Sequence, residues 1–118
     1  MYIDDLIRVF VRASGRYQEL RLSPVKEELV AALTAKKYDL QDEGLIEAII
    51  RDDTDELVES YQSALEIHLG GIDGEKEVSR FLKSDEGIKE TIDIFIASLE
   101  QLINLYYNNL IGKHFSSS

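Results

Sequence analysis

The chain has 118 residues, which is enough for one domain with one hydrophobic core and too few for two, so we expect residues 1–118 to form a single helical domain. Its hydrophobic content of 44% excludes a disordered acidic tail, and the absence of cysteine excludes disulfides and thiolate chemistry. The formal net charge of −10 argues against direct nucleic-acid binding, because phosphate binding requires clustered lysine and arginine. The N-terminus has acids where a signal peptide has bases, which together with the lack of cysteine favours a cytoplasmic protein.

A composition rich in Ala, Leu, Ile, Glu and Lys, with apolar residues at helical spacing, predicts an all-α fold. The first helix is predicted over residues 2–14. Three arginines, Arg8, Arg12 and Arg16, recur every four residues, and at roughly 100° per residue they lie opposite the apolar stripe. This row is either a solvated face or a set of partners for acidic residues, within the chain or between copies. Residues 17–22 alternate weakly and are predicted as a short extended linker.

The next two helices begin at recognisable polar residues. Ser23 is a typical N-cap, and Pro24 after it suits the first helical position, so the second helix begins there. It is predicted to end near residues 36–37, two lysines that suit the negative end of a helix. A short third helix is predicted to open at Gln41 or Asp42 and to carry four apolar residues: Leu45, Ile46, Ile49 and Ile50.

Asp53 followed by Glu56 resembles a capping box with Asp in place of Ser or Thr, and it predicts a fourth helix over about 55–69. The glycines that follow predict a loop. A short fifth helix is then expected around three apolar residues: Val78, Phe81 and Leu82. His68 lies on the apolar side of the fourth helix and is interpreted as a boundary histidine rather than a ligand.

The last helix carries the strongest pattern. Ser84 is its predicted N-cap, and an apolar stripe over seven turns predicts a long C-terminal helix of about 85–111, around which the other helices form an irregular bundle of five or six. Residues 94–111 are apolar over much of the circumference, so we expect this segment to be central to the bundle or to form a homodimer. The polar residues within that run argue against a membrane span.

Residues 39–59 hold most of the charge of the protein. Nine acids against one arginine give this segment a formal charge of −8, and the members are Asp39, Asp42, Glu43, Glu47, Asp52, Asp53, Asp55, Glu56 and Glu59. Such a density opposes folding by self-repulsion. The segment is therefore either a solvated surface with helix caps or a surface that binds a basic protein partner.

If the segment binds a partner, its predicted centre consists of five acids: Asp52, Asp53, Asp55, Glu56 and Glu59. Tyr38 and Tyr61 flank the segment and are its predicted apolar anchors, because tyrosine is enriched at energetic positions of interfaces. The spacing of the three aspartates is close to that of a calcium loop, but the glycine and closing glutamate of that loop are missing. We therefore predict neither a metal site nor a cofactor here.

One enzyme family shares a feature with this chain. The pairs Glu56-x-x-Glu59 and Glu90-x-x-Asp93 resemble the paired acidic motif of all-α nucleotide pyrophosphohydrolases. That resemblance implies four acids that hold Mg²⁺ at the phosphates of a nucleotide. All four acids fall opposite the apolar stripes of their helices, whereas a metal pocket inside a bundle needs them to face inward.

The function we expect is protein binding without catalysis, because the chain contains no nucleophile elbow, no phosphate loop and no Glu-x-x-His metal pair. A small acidic helical domain fits a protein that neutralises a basic partner, in the manner of immunity proteins, antitoxins and phage inhibitors. A self-assembling structural or adaptor subunit and the Mg-dependent pyrophosphohydrolase are the alternatives.

Overall fold

The structure is a computed structural model that describes residues 2–21, 23–36 and 40–116, with side chains described over 2–21, 23–36 and 43–108. Within these residues it contains six α-helices and no strand, which confirms the predicted all-α bundle. The helices are α1 (Tyr2–Ser14), α2 (Val25–Lys36), α3 (Leu40–Asp52), α4 (Thr54–Gly70), α5 (Glu75–Lys83) and α6 (Asp85–Ser116).

The long C-terminal helix is the centre of the bundle. Helices α2, α3, α4 and α5 pack against α6, and α1 packs on α2, α3 and α4. Phe95 and Leu99, predicted at the middle of the core, have no exposed surface. Phe95 forms an aromatic cluster with Phe10 of α1 and Tyr61 of α4, with ring centroids 5.4 to 5.6 Å apart. The core thus joins the N-terminal, central and C-terminal helices.

The beginning of α6 has the predicted cap. The Ser84 Oγ accepts a hydrogen bond of 2.9 Å from the Gly87 N–H and donates one of 2.7 Å to the Phe81 carbonyl oxygen. Serine at this position satisfies a backbone donor that the helix cannot pair internally. The helix extends five residues beyond the predicted end at 111, because residues 112–116 contain no proline and a single glycine costs a helix only about 1 kcal/mol.

Residues 17–21, the described part of the extended linker that we predicted over 17–22, are not extended. The Tyr17 N–H donates to the Ser14 carbonyl at 2.9 Å, and the Leu20 N–H donates to the Tyr17 carbonyl at 3.0 Å. These three-residue spacings form successive turns, and they bury Leu20 in the core. The burial of Leu20 determines the backbone path of this segment, and the weak alternation of polar and apolar residues does not.

The part of α6 predicted to mediate self-association is mostly covered by the other helices. Within 94–103, the structure buries five apolar side chains: Phe95, Ile96, Leu99, Leu102 and Ile103. Among residues 104–108 no side chain is buried, and Leu105 is 54% exposed. The apolar surface left over for a partner is therefore confined to the end of the helix, where the side chains of Leu110 and Ile111 lie outside the described residues.

Candidate functional site

The predicted acidic site lies at the corner between α3 and α4. Helix α3 ends at Asp52, Asp53 is the only residue between the helices, and α4 begins at Thr54. The Asp53 N–H donates to the Ile49 carbonyl at 2.7 Å, and the Asp53 carbonyl accepts from the Leu57 N–H at 3.1 Å. The corner is therefore hydrogen-bonded from both helices. We call Asp52, Asp53, Asp55, Glu56 and Glu59 together the acidic corner.

The corner acids suit the start of α4 electrostatically. Asp53 is the N-cap, and Asp55 and Glu56 lie in the first turn, where negative charge is stabilised by the helix dipole. The predicted capping box is wrong, because the Asp53 side chain makes no cap hydrogen bond. Its φ of −130° and ψ of 29° differ from the extended conformation of an ordinary N-cap. The Asp53 side chain therefore supports the helix only through its charge.

Two acids of the corner form ion pairs. Arg12 of α1 reaches the Asp55 carboxylate at 3.4 Å, and Arg51 contacts the neighbouring Asp52 at 3.3 Å. The hydrogen bond that Arg51 donates to the Asp52 carboxylate raises the pKa of Arg51 further above its ordinary value. The Asp55 side chain remains 86% exposed in spite of its pair. Exposed pairs of this kind contribute only ~0–1 kcal/mol each.

The other acids of the corner have no ion pair with any described residue. Glu56 and Glu59 are exposed, and Asp53 is partly buried. All five acids belong to the junction of α3 and α4, and three of them, Asp53, Glu56 and Glu59, have no basic partner among the described residues.

The arginine row lies along the flank of this surface, as one of its two interpretations anticipated. Arg12 pairs with Asp55, and Arg16 pairs with Glu66 on α4 at 3.0 Å. Arg8 instead pairs with Asp5 of its own helix at 3.3 Å. The row therefore compensates two acids of α4, Asp55 and Glu66.

Of the two predicted anchor tyrosines, the structure describes Tyr61, and Tyr61 is not part of the exposed site. Tyr61 has no exposed surface, and its hydroxyl shares a hydrogen bond of 2.8 Å with Ser14. Burial raises the pKa of Tyr61 to about 12, against a weaker opposing effect of that hydrogen bond. Tyr61 is therefore a core residue and is unavailable as an anchor, because its helical position turns it towards Phe10 and Phe95. Tyr38 lies outside the described residues, as does Asp39.

The four acids of the pyrophosphohydrolase resemblance do not meet at one site. Glu90 of α6 contacts the His68 Nε2 on α4 at 2.8 Å. His68 follows Glu59 by nine residues, which places it about 14 Å along α4 and half a turn around it. Asp93 lines a different groove, between α2 and α6. Over the part of the chain with described side chains, no three His, Asp or Glu residues are grouped as a metal site.

A groove that sequence reasoning missed lies beside the acidic corner. It has a volume of about 310 Å³ and is lined by Asp5, Arg8, Val9 and Arg12 of α1 and by Ile50 of α3. Ile50 was predicted as an apolar residue of α3 and is partly buried, and Val9 is 7% exposed. The groove forms where α1 and α3 lie against each other, which no local pattern predicts. In the sequence, the four-residue spacing of Arg8 and Arg12 was the one feature that indicated this groove.

Comparison with known protein families, with characterised proteins and with solved structures found no match for this chain. In the described helices, no segment combines the length and the apolar character that crossing a membrane requires.

Proposed function

We propose that the protein is a non-catalytic binding module whose acidic corner docks a basic protein partner and thereby occupies a positive surface of that partner. Immunity proteins, antitoxins and phage inhibitors of nucleic-acid enzymes act in this manner. The observation that carries the proposal is the excess of exposed negative charge at the corner over what the fold uses. The caps of two helices need a few acids, whereas residues 39–59 carry a formal charge of −8.

The charge distribution around the corner supports this function over a uniformly solvated surface. Asp52 lies in the last turn of α3, where the helix dipole disfavours an acid. Glu59 lies in the second turn of α4, exposed and without an ion pair to described residues. Neither acid is explained by helix stabilisation. Concentrated negative charge opposes folding by self-repulsion. Such a concentration is expected on a surface that attracts a positively charged partner.

The first experiment identifies the partner. The protein is immobilised and exposed to an extract of its source cells at low salt, and the retained proteins are released by raising the salt. A docking surface of this charge predicts retention of a basic protein that is lost at high salt.

The second experiment tests the corner with that partner. Asp53→Asn, Glu56→Gln and Glu59→Gln combined remove three charges and leave the pairs of Arg12 and Arg51 intact. A matched control removes three exposed charges from the first turns of other helices: Asp4→Asn, Glu27→Gln and Glu86→Gln. The corner variant should lower the association rate at low salt by about tenfold and change the dissociation rate less, as expected when local charge steers the encounter. Equal rates for the corner and control variants would refute the proposal.

A second candidate function is self-assembly through the end of α6. The observation that favours it is Leu105, which is 54% exposed on a helix that extends 13 residues past Ile103, the last buried residue among the described side chains. A helical segment of this length is only marginally stable alone, so a second copy is a natural source of stabilisation. Light scattering over a concentration series tests it: a mass of 13.4 kDa at every concentration would remove this candidate.

A further inference from the structure

The groove between α1 and α3 differs in chemistry from the acidic corner that it adjoins. Its floor is apolar: Val9 is 7% exposed and Ile50 is partly buried. Its rim carries Arg8 and Arg12, with Asp5 beside them. Arg12 also pairs with Asp55, so one residue joins the groove to the acidic corner. A partner docked on the corner therefore lies next to this opening.

Each of the two arginines has an acidic partner. Asp5 contacts Arg8 at 3.3 Å, and Asp55 contacts Arg12 at 3.4 Å. These acids neutralise part of the positive charge of the rim. A planar guanidinium whose edges are paired with carboxylates still presents a flat face to a third group, and that face stacks on aromatic rings.

We propose that this groove receives an aromatic side chain carried by the basic partner of the acidic corner. An apolar floor excludes a lysine or arginine from the partner, and the two arginines of the rim repel it further. An anion would meet the Asp5 carboxylate and arginines that are already paired. An aromatic ring satisfies both parts of the site, since its body covers Val9 and Ile50 and its faces meet the guanidinium groups.

The size of the groove fits this occupant. A volume of about 310 Å³ lies at the lower end of ligand pockets, which run from roughly 300 to 1,000 Å³, and one large side chain fills much of it. Interfaces commonly place one aromatic anchor in a pocket beside charged contacts. The charge of the acidic corner then sets the association rate with the partner, and the groove sets the lifetime of the complex. This inference rests on the proposed function and assigns the anchor to the partner, since Tyr61 of this chain is buried.

Synthetic peptides separate the two contributions. Three nonapeptides carry four lysines on each side of one central residue, which is tryptophan, leucine or alanine. Each peptide is titrated into the isotope-labelled intact protein, and nuclear magnetic resonance gives both the affinity and the shifts of the Val9 and Ile50 methyl groups. In the wild type we expect the tryptophan peptide to bind about tenfold more tightly than the alanine peptide and more tightly than the leucine peptide. It should also shift the methyl signals of Val9 and Ile50 upfield by its ring current.

Single arginine variants assign the effect to the groove. Arg8→Gln and Arg12→Gln should each reduce the tryptophan-to-alanine ratio by about two- to fivefold, the loss of one exposed cation–π contact. Arg16→Gln is the matched control, because Arg16 belongs to the same row and pairs with Glu66 but does not line the groove. All three variants make the protein more negative by one charge, so each should strengthen the binding of every lysine peptide by a similar factor. This change in electrostatic attraction cancels in the ratio of the tryptophan and alanine affinities.

The outcomes distinguish this inference from the function on which it rests. Salt-sensitive binding of all three peptides with equal affinities, or a tryptophan preference that Arg8→Gln and Arg12→Gln leave intact, would overturn the aromatic groove and leave the acidic docking surface standing. Equal binding of the tryptophan and leucine peptides would overturn the aromatic specificity. No salt-sensitive binding of any peptide would count against the acidic docking surface as well.

Discussion

Gly87 is required by a close approach that the sequence does not reveal, and replacing it tests the junction of α5 and α6. A Cβ at this position would lie 1.9 Å from the Phe81 carbonyl oxygen and 2.8 Å from the carbonyl carbon. Gly87→Ala therefore requires a movement of more than about 1 Å before the contact becomes tolerable, which is a large displacement in a close-packed interior.

That movement is opposed by the hydrogen bonds of Ser84. The Phe81 carbonyl oxygen accepts from the Ser84 N–H at 3.1 Å and from its Oγ at 2.7 Å. Displacing it weakens both bonds, each worth about 0.5–1.5 kcal/mol net. Overpacking adds a destabilisation of about 1–3 kcal/mol, while the better helix propensity of alanine offsets at most about 1 kcal/mol of the total. We expect Gly87→Ala to lower the free energy of unfolding by about 2–4 kcal/mol, by summing these contributions.

Gly44→Ala is the matched control, because Gly44 is also a helical glycine and nothing lies within 4 Å of its Cβ position. This substitution should raise the free energy of unfolding by about 0.5–1 kcal/mol. Urea unfolding followed by circular dichroism at 222 nm measures both variants. If Gly87→Ala proved as stable as the wild type, or shifted in the same direction as Gly44→Ala, the close contact between Gly87 and Phe81 would be refuted.

Four further perturbations have definite expected outcomes. Leu99→Ala should lower the free energy of unfolding by about 2–5 kcal/mol, because the side chain is fully buried at the centre of α6, and an unchanged urea midpoint would contradict that position. Ser84→Ala should cost about 1 kcal/mol and Asp53→Ala less, since only Ser84 makes a cap hydrogen bond; equal costs in thermal unfolding would contradict this. Because burial raises the pKa of Tyr61 to about 12, its contribution is complete below pH 10 and is lost as the pH rises through 12, so urea unfolding at high pH should show a loss of about 2–3 kcal/mol that Tyr61→Phe does not show. If α6 mediates self-association, Leu105→Glu should abolish the dimer in light scattering and leave the monomer folded, and a dimer that survives would exclude this surface.

The acidic corner illustrates how far sequence reasoning reaches for a binding site. The five acids were predicted as one group because they are close together along the chain, and the structure places that stretch at the junction of α3 and α4. Their role as a binding surface stays a prediction. The choice of Tyr61 as an anchor was avoidable. Tyr61 is four residues after Leu57 and therefore shares its buried face, which helical periodicity alone indicates. The aromatic groove depends on α1 and α3, which are more than 25 residues apart, and no local pattern encodes their packing angle.

The sequence alone determined the type and approximate bounds of the helices and limited their number to five or six, since each of these follows from interactions between residues a few positions apart. Helical periodicity, the Ser84 cap and the central place of Phe95 and Leu99 are of this kind. Tertiary structure decided the features that depend on distant segments: the turns that bury Leu20, the contact that requires glycine at position 87, and the pairing of Arg12 with Asp55. The physical reason is that local propensity favours a helix within one turn of its own chain, whereas the surface that two helices present together depends on how all of the side chains between them fill the core.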